Sequence, residues 1–137
     1  MYHSQFCDVE YLPELNVVFV TWKQFCSGDD YRAPLLRALD ILRAREGCQY
    51  VADTRSGFEN EAADTRWLFD VFLPQAALTS CRMIVFIIDH AHSLKEELEG
   101  QSAELRRFFD VKYCASLEEA AELTEASLDL PSHGDEI

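Results

Sequence analysis

The feature that most restricts the fold of this chain is a run of six consecutive apolar residues, Met-Ile-Val-Phe-Ile-Ile, at positions 83–88. Side chains of a β-strand point alternately to opposite faces, so a strand that is apolar throughout must be covered on both faces. Such strands are typical of parallel sheets that carry helices. We therefore expect residues 83–88 to form an interior strand of an α/β sheet.

Strand and helix patterns alternate along the rest of the chain. The other strands are predicted at residues 8–12, 16–22, 48–54 and 110–114. The order is ββαβαβαβα, which favours right-handed crossovers between parallel strands. We expect an α/β fold with a mainly parallel five-stranded sheet and packed helices, in which the first strand pairs antiparallel with the second.

The predicted helices are placed by apolar spacing and by prolines. The first is expected to begin within residues 31–33, because Pro34 is tolerated best in a first turn. The second begins near Glu61 and should be kinked or interrupted at Pro74. A third is predicted within residues 91–109, and a last one follows Ser116. With 137 residues, we expect one domain over residues 1–128 and a mobile acidic tail over 129–137.

Charge and cysteine content exclude several classes of function. The formal net charge of −13 disfavours binding to nucleic acid or to an anionic membrane surface. No apolar run is long enough to span a bilayer, and the N-terminus shows no secretory pattern. The five cysteines are odd in number and form no CxxC motif, which favours a reduced, cytoplasmic setting.

Polar residues follow two of the predicted parallel strands. Asp53, Thr54 and Arg55 end the third strand, and Asp89 and His90 follow the fourth. Ligands of open α/β sheets bind outside the carboxyl ends of the strands, so these five residues are the candidate ligand-binding group. The competing interpretation is that the first three residues form only a turn.

The tetrapeptide Ala-Asp-Thr-Arg occurs twice, at residues 52–55 and 63–66. The first copy leaves a strand and the second opens a helix, so the copies are not equivalent units of a repeat. The second copy, with Asp64 and Thr65, could share a crevice with the first. The competing interpretation places it on a solvated helix face.

Several of these features together resemble the STAS-like family, bacterial relatives of the sulfate-transporter and anti-sigma-antagonist domain. The features are the element order, the strand-terminal VADTR, the DTRWL helix start, the proline late in that helix and YCASLEEAAEL. The resemblance covers residues 8–128 and implies a stand-alone, non-enzymatic protein that regulates through protein contacts.

The resemblance also points to Thr65. In anti-sigma antagonists a kinase phosphorylates a serine where a loop meets the second helix, and Asp64 and Thr65 are the matching positions here. The Ser-Gly that completes the family pattern is missing, and the loop after Asp53 is longer than the pattern implies. Thr65 is thus the phosphoacceptor that the resemblance implies, at a site that departs from the family pattern.

Other chemistry has little support in the sequence. His90 and His92 form an HxH pair without further ligands in view, so we expect neither a metal nor a cofactor. Cys26 precedes a predicted helix, where the helix dipole could lower a thiol pKa. No GxSxG motif or phosphate-binding glycine loop occurs.

The sequence leaves three functions open. The first is regulation through protein contacts, with a homodimer or another protein partner expected, because sequential crossovers crowd the helices onto one sheet face. Terminal segments or a second subunit must then cover the other face. The second is a carrier of a small molecule or lipid in an apolar pocket between sheet and helices, as the similar CRAL-TRIO fold implies. The third is an enzyme that uses Asp53, Arg55 and His90.

Overall fold

A computed structural model describes residues 2–56, 61–89 and 105–134. They form an α/β domain around one mixed sheet, as the sequence predicted. Its six strands run in spatial order from β1 to β6: β1 (Tyr2–His3), β2 (Cys7–Leu12), β3 (Val17–Trp22), β4 (Gln49–Asp53), β5 (Met83–Ile87) and β6 (Asp110–Cys114). The sheet therefore has one strand more than the five predicted.

The additional strand, β1, lies at the outer edge of the sheet. Only Tyr2 and His3 belong to it, and they pair antiparallel with Val9 and Asp8 of β2. Two residues are too few to produce an alternating pattern, so no sequence signal marks this strand. It is formed by pairing with β2 rather than by its own residue preferences.

The run of apolar residues occupies the interior of the sheet, which confirms the prediction. Strand β5 pairs in parallel with β4 on one side and with β6 on the other. All of its side chains are buried, as is Ile88 just beyond it. Even-numbered residues such as Ile84 and Phe86 belong to one core, while Val85 and Ile87 belong to a second core on the opposite face.

Helix α1 (Asp29–Ala44) begins before the predicted start at residues 31–33. Gly28 has a φ of 61°, in the left-handed region, and its carbonyl accepts the N–H of Tyr31. This turn starts the helix early and leaves Pro34 beyond the first turn, where the sequence argument did not expect it. The tight turn at Gly28, rather than the proline, sets the boundary.

The second helical region changes its hydrogen-bonding pattern near Pro74. It consists of α2 (Ala62–Trp67), a π-helical segment (Leu68–Phe72) and α3 (Leu73–Ala77). The N–H of Leu73 donates to the carbonyl of Leu68, five residues earlier. Pro74 lies at the start of α3, where its missing N–H is tolerated, so the predicted interruption is confirmed and takes the form of a π-bulge.

The C-terminal helix α4 (Leu117–Gly134) contacts the other face of the sheet, over β4, β5 and β6. Its Ala120 joins Val51, Val85 and Ile87 in the second core. A terminal segment, one of the two expected alternatives, thus covers this face over β4, β5 and β6. The homodimer stays a prediction. The helix runs past residue 128, and the mobility of the tail stays a prediction.

Helix α4 begins with a capping box. The Ser116 hydroxyl accepts the Glu119 N–H at 3.2 Å, and the Glu119 carboxylate accepts the Ala115 N–H at 2.8 Å. The predicted helix within residues 91–109 lies mostly outside the described residues. In the part of the chain that the structure describes, no helix has the length and apolar character that a membrane span requires.

Candidate functional site

The carboxyl end of β4 holds a closed polar group. Both carboxylate oxygens of Asp53 accept from the Arg55 guanidinium, at 3.0 and 2.8 Å, and one also accepts the Arg55 N–H at 3.1 Å. Thr54 donates its hydroxyl and its N–H to the carbonyl of Ile87, both at 2.9 Å. These contacts extend the ladder between β4 and β5, which accords with a structural turn.

Asp89 is half-buried just past β5, and its charge acts on the same arginine. The hydrogen bonds from Asp53 raise the pKa of the Arg55 guanidinium, and the nearby charge of Asp89 adds to this rise. The structure therefore brings Asp89 within electrostatic range of the Asp53–Arg55 pair. Ligand binding by these residues stays a prediction. His90 and His92 lie outside the described residues, so the place of His90 in the ligand-binding group stays a prediction.

Asp64 is buried rather than on a solvated helix face, which corrects one interpretation of the second Ala-Asp-Thr-Arg copy. Only 2% of it is exposed. One carboxylate oxygen accepts the Gly28 N–H at 3.0 Å and the other accepts from Arg32 Nε at 3.0 Å. The Arg32 guanidinium also lies 5.5 Å from the ring centre of Trp67. Asp64 thus joins the start of α2 to the turn before α1.

Thr65, the next residue of α2, is half-buried. It lines a shallow surface depression with Ala62, Arg66, Phe69 and Asp70. The two copies of the tetrapeptide therefore have different surroundings: the first is bonded to β5, and the second ties α2 to α1. Phosphorylation of Thr65 stays a prediction.

The thiols are poor nucleophiles in this fold. Burial raises the pKa of all five cysteines, to about 11 for Cys48 and about 12 for Cys81. The suggested lowering at Cys26 is wrong: burial first, and then the charges of Asp30 and Asp64, raise its pKa to about 11. No group of three or more metal-ligating side chains occurs among residues 2–56, 61–89 and 105–134.

A small apolar cavity lies between the sheet and the helices. Its volume is about 20 Å³, and it is lined by five aromatic and five aliphatic side chains, Trp22, Tyr50 and Phe72 among them. Pockets for drug-sized ligands measure about 300–1,000 Å³. The cavity lies where the carrier hypothesis expected a pocket, but its size does not fit a lipid.

An exposed patch at the opposite end of the sheet was missed by the sequence analysis. We define the amino-edge patch as the exposed side chains that precede β5 and β6, the adjacent strands that begin at this edge: Leu78, Arg82, Arg106, Arg107 and Phe108. Leu78 is 88% exposed and Phe108 is 40% exposed.

Hydrogen bonds hold the parts of the amino-edge patch together. Arg82 Nη1 donates to the carbonyl of Thr79, next to Leu78, at 2.8 Å. The Arg82 carbonyl accepts the Asp110 N–H at 2.8 Å. This bond joins the start of β6, which Phe108 precedes by two residues, to the residue that precedes β5. The adjacent Phe108 and Phe109 were the sequence signal for this patch. Only one of two neighbours in such a turn can face the core, so the other one had to be exposed. Phe109 is the buried one.

Comparison with known proteins gives no relative for this chain. No protein-family model, no curated protein and no solved structure matches it.

Proposed function

We propose that this chain is a non-enzymatic, STAS-like regulatory protein that acts by binding another protein through the amino-edge patch. The observation that carries the proposal is the exposure of Leu78 and Phe108, which belong to two segments that hydrogen bonds of Arg82 connect. The sequential strand order and the helices on both faces are compatible with the resemblance to the STAS-like family.

Protein binding is favoured over catalysis because the carboxylates are already hydrogen-bonded and the thiols have raised pKa values. The Asp53 carboxylate is already bonded to Arg55, and the Asp64 carboxylate is bonded to Gly28 and Arg32. Neither carboxylate is poised as a general base toward open solvent. The buried thiols have raised pKa values, which is the opposite of what a nucleophile needs.

The chemistry of the amino-edge patch indicates its partner. Arginine and large apolar side chains are enriched among the residues that dominate binding at protein interfaces. Arg82 and Arg106 give this patch positive charge on a chain of net charge −13. They favour a partner segment that combines acidic residues with an apolar anchor, and they exclude a strongly basic one.

Quantitative affinity capture with matched variants tests the proposal. The full chain, Leu78→Asp and Phe25→Asp are used as bait, and a retained protein is then purified and its Kd measured. Phe25 is the control because it is 53% exposed and lies between β3 and α1, at the carboxyl end of the sheet. We expect Leu78→Asp to weaken binding about 30-fold and Phe25→Asp to leave it unchanged.

Two results would count against this function. One is an equal loss of affinity in Phe25→Asp, which would move the binding surface to the other end of the sheet. The other is a partner whose affinity is insensitive to Leu78→Asp and to salt. Sedimentation of the bait alone measures its oligomeric state and so distinguishes a homodimer from binding to another protein. If Leu78→Asp converts a dimer to a monomer, the partner is a second copy of this chain.

A further inference from the structure

The outer edge of β2, on the side away from β3, is only partly paired. Strand β1 pairs with two residues of β2, and no strand of the described residues lies beside residues 10–12. Successive residues of an antiparallel strand direct their backbone groups alternately to its two sides. The Phe6 carbonyl accepts the Lys23 N–H at 2.8 Å, so Phe6 is bonded toward β3. Five residues later, Tyr11 therefore directs its N–H and C=O outward, where a further strand can pair.

A groove of about 310 Å³ lies between this edge and α1. Its apolar part consists of Tyr11 and Ile41, which are half-buried against the first core. The Tyr11 hydroxyl donates to the Asn16 side-chain oxygen at 2.8 Å, and the Arg45 guanidinium lies 4.2 Å from the centre of the Tyr11 ring. These contacts hold the ring in place, so the groove exists before any partner binds.

The groove carries positive charge that is not neutralised. Arg37 and Arg45 both line it and are exposed. Neither guanidinium has an ion pair or a hydrogen bond with any residue that the structure describes. Asp40, the acidic side chain of the lining, already lies 3.9 Å from an arginine outside it. The groove is therefore complementary to an acidic partner, although the chain itself has a net charge of −13.

This charge determines which occupant the groove fits. A symmetric dimer through this edge would place the same surface of two copies together, with their arginines facing each other. Like charges across an interface oppose binding, so a second copy of this chain is disfavoured, and so is a basic segment. An extended segment of another protein is favoured, because strand addition to a sheet edge uses the backbone groups that β2 leaves unpaired.

The spacing of the two arginines restricts the sequence of that segment. Arg37 and Ile41 are one helical turn apart, and Arg45 follows after another turn, at the end of α1. The two arginines are thus about 12 Å apart along the helix axis. In an extended strand, residues four positions apart are separated by about 13–14 Å and point to the same face. Acidic residues at positions i and i+4, with an apolar residue between them at i+2, match this row.

We propose that the groove binds an extended segment of another protein with the pattern Glu-x-Φ-x-Glu, where Φ is a branched apolar residue. The segment lies antiparallel to β2, in the direction of β1, and its side chain Φ contacts Ile41. Opposite residues of an antiparallel pair share a face, so a groove-facing residue of the segment bonds to the backbone of Tyr11. The site differs from the amino-edge patch, because β3 and β4 separate β2 from β5.

NMR titration of the labelled full chain at low salt tests this site with two peptides of equal composition. Ser-Glu-Thr-Ile-Thr-Glu-Ser, blocked at both ends, presents both acids and the isoleucine to one face. Ser-Thr-Glu-Ile-Glu-Thr-Ser presents the acids to the opposite face and should bind at least about tenfold more weakly. We expect the first peptide to shift the Tyr11 amide resonance and to slow its hydrogen exchange.

Modified peptides test the direction of the added strand. N-methylation of the three groove-facing residues removes the N–H that bonds to Tyr11 and should weaken binding about tenfold. N-methylation of the two threonines changes only N–H groups that point away from β2, so it is the matched control. The proposed antiparallel pairing is wrong if the threonine-methylated peptide loses more affinity than the other.

Matched variants of the chain test the two charges. Arg37→Gln and Arg45→Gln should each weaken binding about threefold, as expected for exposed ion pairs, and the double variant about tenfold. Arg106→Gln makes the same change in the amino-edge patch and should leave the affinity unchanged. An equal loss in Arg106→Gln would assign the peptide to the amino-edge patch, which would overturn this site and leave the proposed function standing.

Three other results would overturn the site. The first is equal affinity for the two peptides of the same composition, or no binding of either. The second is binding without slower exchange of the Tyr11 amide, which would exclude strand addition. The third is a dimer of the unaltered chain that the first peptide converts to a monomer in sedimentation, which would make a second copy the occupant of the groove.

Discussion

The buried carboxylate of Asp64 gives the sharpest test of how the helices are held to the sheet. Asp64→Asn keeps the size of the side chain and replaces one oxygen with an NH₂ group. In the structure one oxygen faces the Gly28 N–H and the other faces Arg32 Nε, and both partners are donors. Whichever way the amide turns, its NH₂ faces a donor, so one buried hydrogen bond is lost and the ion pair disappears.

The cost can be worked from the exposure of the two partners. Breaking a fully buried ion pair costs about 3–5 kcal/mol. The side chain of Asp64 is 2% exposed, but that of Arg32 is 34% exposed and can regain some hydration. We therefore expect a loss of about 2.5 kcal/mol in the free energy of unfolding, in the range for hydrogen bonds to charged groups. For 137 residues, this corresponds to a fall in Tm of about 9 °C.

Urea denaturation with a matched control measures this loss. Asp70→Asn makes the same chemical change at an exposed position of the same helical region and should cost less than about 0.5 kcal/mol. In an Arg32→Met background, Asp64→Asn should cost about 1 kcal/mol less than in the unaltered chain. The reasoning is refuted if Asp64→Asn is no more destabilising than Asp70→Asn, or if the Arg32 and Asp64 changes are additive.

Two further predictions concern buried groups elsewhere in the sheet. The Gln49 side-chain oxygen accepts the N–H groups of Arg82 and Met83 at 2.8 and 2.7 Å, so Gln49→Leu should lower the free energy of unfolding by about 2 kcal/mol, against little change for the exposed Gln24→Leu. Equal losses in the two variants would contradict this assignment. Burial raises the pKa of the Cys81 thiol from 9.0 to about 12, so above about pH 9 the thiol ionises in the unfolded chain first. Stability should then fall with pH by about 1.4 kcal/mol per unit for this thiol, and denaturation curves of Cys81→Ala should show a shallower fall; an unchanged slope would disprove it.

The sequence was sufficient for the fold class because the decisive signals are local. The apolar run at residues 83–88 and the alternation of strand and helix patterns depend only on neighbouring residues, and they place β5 inside a parallel sheet. The capping box at Ser116 and the interruption at Pro74 are equally local. The two-residue β1 was missed because its pairing with β2 carries no local pattern.

The candidate sites depended on contacts between distant parts of the chain. Asp53 and Asp64 occur in identical tetrapeptides. One bonds to Arg55 two residues away, and the other bonds to Gly28, in the turn before α1, and to Arg32 of α1. A short motif cannot determine which distant donors reach a carboxylate. The exposure of Leu78 follows in the same way from the packing of α3, which ends just before it, against α1.

The sequence by itself thus determined the order and kind of the elements, because hydrophobic periodicity is a property of consecutive residues. Only the tertiary structure decided that α4 packs on the second sheet face, over β4, β5 and β6. It also decided that Asp64 is buried and bonded to Gly28 and Arg32. Burial and hydrogen-bond partnership are set by which surfaces meet, and residues far apart in the chain supply those surfaces.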